Sequence, residues 1–205
     1  MKTINKQHWN RQQQFDHFMG LKDPSFAITF KVDVTNAYAF SKSRSISFFG
    51  KYLHDCLRAV NSIENFRYRI KDDDVVEYDV INASPTILRA DKTFGFSFVK
   101  YDDNLNAFLE NLLKEKQRVQ STKNLYPPVN GDDCIHCSAL PWIPFTGHKE
   151  PVSGLVESIP EVSFSKVEEV DGNCMMNVAV RVNHALIDGY HVGQFYEKFQ
   201  YFLNE

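Results

Sequence analysis

Between Met175 and Ala185 the chain alternates strictly, with Val178, Val180, Val182 and His184 on one side of an extended segment and Asn177, Ala179, Arg181 and Asn183 on the other. A period of two with valines in one row specifies a strand whose apolar face meets a core. The row ends in His184, and Asp188-Gly189 follows at once. By position alone His184 reads as a core histidine satisfied by some partner, or as a base presented at a strand end. Asp188 is the more informative residue. A carboxylate beside a buried histidine is costly unless a cation or several donors compensate it. Gly189 is expected to supply the backbone freedom of a tight turn. One basic residue that could meet Asp188 is Arg11, isolated in HWNRQQQFDHF.

The rest of the chain interleaves strands and helices without repeats. Ala27–Val34 is β-branched and follows Pro24-Ser25, so it reads as a strand. Two helices are expected next, the second over Ser47–Val60 with Ser47 as cap and Phe49, Leu53, Cys56, Leu57 and Val60 as its core stripe. Phe66–Ile70, Val75–Ile81, Pro85–Ala90 and Phe94–Val99 are short strands joined by charged turns, KDDD among them, and are expected to form a meandering antiparallel sheet. Asn104–Gln120 is an amphipathic helix. Strands are expected over Cys134–Leu140, Glu161–Val170 and Cys174–Ala185, and a closing helix over Val192–Leu203. The fold class is α+β, with helices packed on a mixed, largely antiparallel sheet. Residues 1–205 are expected to form a single domain, a length able to bury a full core.

Several function classes drop out. A formal net charge of −3 without a Lys/Arg cluster argues against nucleic acid or an anionic membrane as partner. No apolar run reaches the roughly 18 residues of a membrane span, and MKTINKQHWNRQQQF lacks the apolar stretch of a signal peptide, so a cytoplasmic protein is expected. Cys134 and Cys137 form a CIHC, yet residues three apart on a strand point to opposite faces, and no second pair follows at zinc spacing. No metal is expected. Small-molecule chemistry is left.

The stretch HALIDGYHVGQF resembles the C-terminal signature of the trimeric chloramphenicol acetyltransferases: a histidine, three residues, Asp-Gly, an aromatic, then His-Val. Trp9-Asn10-Arg11 with Phe15 resembles the family's N-terminal Trp-x-Arg segment, Ser138–Trp142 (SALPW) its Ser-Ala-x-Pro-Trp segment, and ENFRYRIKD its strand after the second helix. These segments lie in the family's order across nearly the whole chain. The His-x-x-x-Asp-Gly core recurs more widely among CoA-dependent acyltransferases, so the N-terminal and SALPW segments are what select the smaller family.

The resemblance implies that His184 is the general base, taking the proton from an acceptor hydroxyl as its oxygen attacks the thioester of acetyl-CoA, with both substrates bound together and no acyl-enzyme. Histidine suits that step because its ordinary pKa of about 6.5 leaves it able to accept a proton near neutrality and to return it to the leaving thiolate. Ser138, by itself an ordinary strand serine, matches the family's oxyanion donor. Asp188 and Arg11 match its buried ion pair. Phe18, Phe26, Phe94 and Tyr126 fall near its acceptor-pocket aromatics, Thr86 near a polar pocket position, and Lys166 near a lysine close to CoA. A homotrimer with active sites at subunit interfaces is implied as well. His191 has no chemistry in this scheme and is assigned to packing.

Three departures bear on specificity. Asn183 stands where the family usually has a second histidine, residues 146–159 lack its Ser-Phe-x-Leu-Asn pattern, and Glu161 falls on a pocket position that is ordinarily apolar. They leave open a different hydroxylated acceptor, or a relative that binds a ligand without turning it over.

Overall fold

The computed structural model describes residues 1–151 and 153–205; Val152, within the atypical 146–159 stretch, lies outside the described residues. In chain order the elements are β1 (Lys2–Thr3), α1 (Gln12–Met19), β2 (Ser25–Asp33), α2 (Thr35–Ser43), α3 (Phe48–Asn61), β3 (Tyr68–Lys71), β4 (Asp74–Glu77), β5 (Asn82–Leu88), β6 (Phe94–Phe96), α4 (Leu105–Ser121), β7 (Cys134–Leu140), β8 (Glu161–Val170), β9 (Asn173–Asn183) and α5 (Gly189–Leu203). Most of the expected elements are present. The helix α1 is an addition, and α5 begins three residues before the expected Val192.

A six-stranded sheet runs in the order β2-β9-β8-β7-β5-β6. Its outer pairs are antiparallel, whereas β7 is parallel to both β5 and β8. Along β9 the alternation works as the pattern demands. Val178, Val180 and Val182 are buried in the main core with Leu53, Cys56, Leu57 and Val60 of α3 and Val192, Phe195, Phe199 and Leu203 of α5. Each such aliphatic contributes on the order of 1.5–3 kcal/mol through its removal from water. Ser47 caps α3 as its sequence position requires, its hydroxyl accepting the Gly50 N–H at 3.1 Å.

The opposite face of this sheet carries small and polar side chains, among them Ser138, Glu161, Ser163, Ala179 and Arg181. No helix covers it. On this face Asn177 Nδ2 donates to the Phe145 carbonyl and Asn183 Nδ2 to the Glu157 carbonyl, both at 2.9 Å.

The expected meander over residues 66–99 is not formed. β3 and β4 make a hairpin that joins β1 in a separate three-stranded sheet, while β5 and β6 belong to the large sheet. The division falls at Ile81. There the Asn61 side chain accepts the main-chain N–H at 2.7 Å and donates to the carbonyl at 2.9 Å, consuming the groups that β4-to-β5 pairing would need. Arg69, fully buried, links the two sheets by donating to the carbonyls of Phe66, Tyr68, Asp132 and Cys134. Burial pulls its guanidinium pKa down to about 10.

Candidate active site

The strand β9 stops at Asn183, one residue short of His184, because Asn183 turns the chain. Its Oδ1 accepts the Ala185 N–H at 2.9 Å, and its carbonyl takes the N–H groups of Leu186 and Ile187 at 3.1 and 3.0 Å. An Asx turn of this kind is a local substitute for the ladder. His184 thus sits in the turn, half-buried, with its own N–H bonded to the Pro24 carbonyl at 2.8 Å. Its ring lies flat against Phe18, with centroids 3.9 Å apart and planes 7° from parallel, and Phe26 leans on it at 4.5 Å. Nδ1 is buried without a hydrogen-bond partner among the described residues.

Asp188 closes the same turn as the N-cap of α5. Arg11 meets it, Nη1 lying 2.5 Å from Oδ2, and the other terminal nitrogen of the same guanidinium donates to the His184 carbonyl at 3.2 Å. Burial raises the Asp188 pKa, but the Arg11 hydrogen bond and the charges of His191 and Arg11 outweigh it and hold the carboxyl below its ordinary value. Arg11 is fixed in turn by its place ahead of α1, where its carbonyl accepts the Phe15 N–H at 2.8 Å. Trp9 packs its ring on Phe15 and Tyr68 at 5.9 and 5.6 Å. The ion pair expected from sequence is therefore made. Gly189 is not the turn-former expected of it: its φ is ordinary, and an added Cβ would meet nothing within 4 Å. The turn is built by the Asn183 side chain instead. His191 is more than packing, since its Nδ1 lies 2.8 Å from Asp188 Oδ1.

The remaining candidates divide between other parts of the sheet. Ser138 faces Ser163 across the β7/β8 pairing, and Ser163 faces Ala179 on β9. Ala179 is five residues from His184, so at about 3.3 Å per residue and 4.8 Å per strand the two side chains are separated by roughly 20 Å within one chain. The Ser138 hydroxyl donates to Glu150 Oε1 at 2.7 Å. Thr86 pairs with Phe96 in the β5/β6 hairpin, where Phe94 and Tyr126 pack on Phe96 at 5.5 and 5.4 Å. This second aromatic group, with Phe94 and Tyr126 largely exposed, occupies the sheet edge opposite Phe18, Phe26 and His184. Lys166 is exposed on β8 beside a bulge between Phe164 and Val167, its N–H bonded to the Ile143 carbonyl at 3.0 Å.

One cluster escaped the sequence. Arg181 Nη1 lies 2.8 Å from Glu161 and 3.2 Å from Glu157, while its Nε and Nη2 donate to the Ser25 hydroxyl at 3.1 and 2.8 Å. Burial pushes the Glu161 carboxyl up against the pull of Arg181, and one of its oxygens is buried without a hydrogen-bond partner among the described residues. The signal was present as alternation, since Arg181 and Glu161 share the polar faces of their strands, but only the register makes them directly opposite.

Among the described residues no cluster of three or more His, Cys, Asp or Glu side chains could hold a metal ion. Cys134 and Cys137 are both buried, and burial pushes the Cys134 thiol up to about 12. A protonated thiol is a poor metal ligand.

The sequence model of the chloramphenicol acetyltransferase family matches residues 1–200. A chloramphenicol acetyltransferase of Bacillus pumilus is 28% identical over 200 residues, which are 96% of this chain and 91% of that one. Chloramphenicol acetyltransferase 3 of Escherichia coli is 25% identical, covering 96% and 94%. Among solved structures, a chloramphenicol acetyltransferase superposes with a TM-score of 0.87 at 27% identity, covering 98% of both chains. Azotobacter vinelandii dihydrolipoamide acetyltransferase, with a TM-score of 0.72 at 14% identity over 94% and 86% of the chains, shares the fold. The chain is therefore a member of the chloramphenicol acetyltransferase family.

Proposed function

We propose that this chain moves an acetyl group from acetyl-CoA to a hydroxyl of chloramphenicol, with His184 as general base in a ternary complex. Acetyl transfer to chloramphenicol is the family's activity, and a CoA thioester is its co-substrate. The observation that carries the residue assignment is the doubly held turn: Arg11 binds both the Asp188 carboxylate and the His184 carbonyl, and Phe18 and Phe26 clamp the His184 ring. A ring held between two aromatics on a braced turn loses little entropy when it meets a substrate hydroxyl.

In this scheme His184 accepts the hydroxyl proton as the alcohol oxygen attacks the thioester carbonyl. Negative charge develops on that carbonyl oxygen, and the Ser138 hydroxyl donates to it. The tetrahedral intermediate collapses by breaking the C–S bond, and the proton passes from His184 to the leaving sulfur. The separation of roughly 20 Å between His184 and Ser138 within one chain supports a site completed by a second copy, His184 from one subunit and Ser138 from its neighbour. A homotrimer with three such interfaces satisfies this by rotational symmetry. Thr86, Phe94 and Tyr126 on the Ser138 side, and Phe18 and Phe26 on the His184 side, wall the acceptor, and Lys166 meets a CoA phosphate. The 205 residues act as one acetyltransferase domain. Four free cysteines fit a reducing compartment, the cytoplasm, and no described helix is long and apolar enough to cross a membrane.

A second reading has its own observation. The Arg181, Glu161 and Glu157 cluster makes this sheet face polar near an ordinarily apolar pocket position, which favours a hydroxylated acceptor more polar than chloramphenicol. Acetyl-CoA-dependent thiol release, measured with chloramphenicol and with a panel of polar alcohols for wild type and His184→Ala, tests both. Wild-type turnover that vanishes in His184→Ala is expected. A variant keeping a tenth of the activity would remove His184 from its role.

A further inference from the structure

We propose that His191 is a positioning residue for the base, holding the His184-to-Asp188 turn by accepting the Asp188 main-chain N–H. This rests on His184 being the base. The Asp188 amide donates to His191 Nδ1 at 3.2 Å, and Asp188 Oδ1 lies 2.8 Å from the same nitrogen. A ring nitrogen that accepts an N–H carries no proton, so the geometry assigns the His191 proton to Nε2. Among the described residues Oδ1 is accordingly buried with no hydrogen-bond donor, while Oδ2 takes Arg11.

Protonation of Nδ1 would reverse these contacts. The new N–H would turn to Oδ1, and the Asp188 amide would lose its acceptor at the first turn of α5. The groups facing the ring are Asp188 beneath it, Arg11 from the segment ahead of α1, and the neighbouring Tyr190 ring at 5.6 Å. Burial first, and Arg11 with it, outweigh Asp188 and lower the imidazole pKa.

The consequence for catalysis runs through short links. His191 fixes the Asp188 amide, the Asp188 carboxylate fixes Arg11, and Arg11 fixes the His184 carbonyl. Release of the first link frees a turn of five residues at the end that carries the base. Glutamine or glutamate is the usual third-position partner in such a capping box, and histidine does the same work with a stiffer side chain.

That equivalence supplies the test. Long-range proton–nitrogen NMR of wild type at neutral pH should show His191 protonated at Nε2 with a bare Nδ1. His191→Leu should lower kcat about 10- to 100-fold, the scale expected for a misplaced catalytic group, with KM for both substrates nearly unchanged. His191→Gln should restore kcat to within about threefold of wild type, because it restores the acceptor. The His184 ring signals should shift in the Leu variant and return in the Gln variant, a readout that needs no turnover. If wild type failed to acetylate while His184 signals still followed His191, the acetyl-transfer reading would fall and the positioning role would stand. A His191 protonated at Nδ1, unmoved His184 signals in His191→Leu, an unchanged kcat, or a loss that Gln does not rescue would each overturn the inference.

Discussion

Arg11 donates a hydrogen bond to the main-chain carbonyl of His184 at 3.2 Å, across 173 residues of sequence. The other arm of the same guanidinium takes the Asp188 carboxylate at 2.5 Å. A planar fork with fixed donors can hold both at once, whereas a lysine ammonium is a point charge on a flexible stem. The geometry of the His184 turn is therefore set by a residue near the opposite end of the chain.

Removing either charge should strand the other. Arg11→Leu and Asp188→Asn are each expected to cost about 2–3 kcal/mol, less than the ~3–5 of a fully buried pair because the Asp188 side chain is 33% exposed. The double variant should cost clearly less than the sum. Denaturant titrations of the four proteins measure this, and strict additivity would mean that the two residues do not interact. Arg11→Lys should keep most of the stability and lose activity, since it loses the bond to His184.

The pH dependence follows from opposite shifts. Asp188 is held below its ordinary pKa, so its stabilising contribution is present above the unfolded value of about 3.9 and is lost as pH falls through the lower folded value. Asp188→Asn should flatten the acid limb of the stability curve below about pH 4. Glu161 is raised, so its ionisation costs stability as pH climbs from the unfolded pKa through the higher folded one. Glu161→Gln should compare more favourably with wild type at pH 8 than at pH 4. A difference that ran the other way would show that Arg181 outweighs burial.

Ser138→Ala should lower kcat by about 10²–10³ with little change in KM, the effect of one lost oxyanion donor. A sharper test uses two dead proteins. If His184 and Ser138 act across a subunit interface, randomly mixed trimers of His184→Ala and Ser138→Ala contain both intact partners at about a quarter of their interfaces. Refolding the two together should restore activity that neither has alone. Continued inactivity of verified mixed trimers would place both residues in one subunit's site.

Two glycines should respond in opposite ways. Gly189 has ordinary φ and open space, so Gly189→Ala should fold normally, keep activity and raise stability by up to about 1 kcal/mol. At Gly50 a Cβ would overlap the Leu109 side chain, and Gly50→Ala should cost about 1–3 kcal/mol through overpacking of α3 on α4. Thermal melts distinguish the two. An inactive Gly189→Ala would return that residue to the turn-forming role its sequence context implies.

Local pattern determined a good deal of this protein. The valine row of β9, the Ser47 cap, the core stripe of α3 and the amphipathic α4 all follow from periods of two or 3.6 and from side chains that bond their own backbone, interactions that act within a few residues. The His184, Asp188 and Arg11 set was legible because a buried carboxylate demands a cation and because neighbouring residues resemble a family that has one. Long-range pairing decided the rest. The strands of residues 66–99 carry no mark of which sheet each joins; the Asn61 side chain at Ile81 makes that division. The turn after Asn183 is built by an asparagine side chain and not by Gly189, and His191 becomes a cap only when α5 starts early enough to bring it to the third position. Arg181, Glu161 and Ser25 meet only once β2, β8 and β9 settle into register. Register and sheet order depend on the summed packing of distant segments, and a one-residue slip would move every side chain of a strand to the other face. No single stretch of sequence carries that information, and the same pairing sets Ser138 and His184 roughly 20 Å apart within one chain.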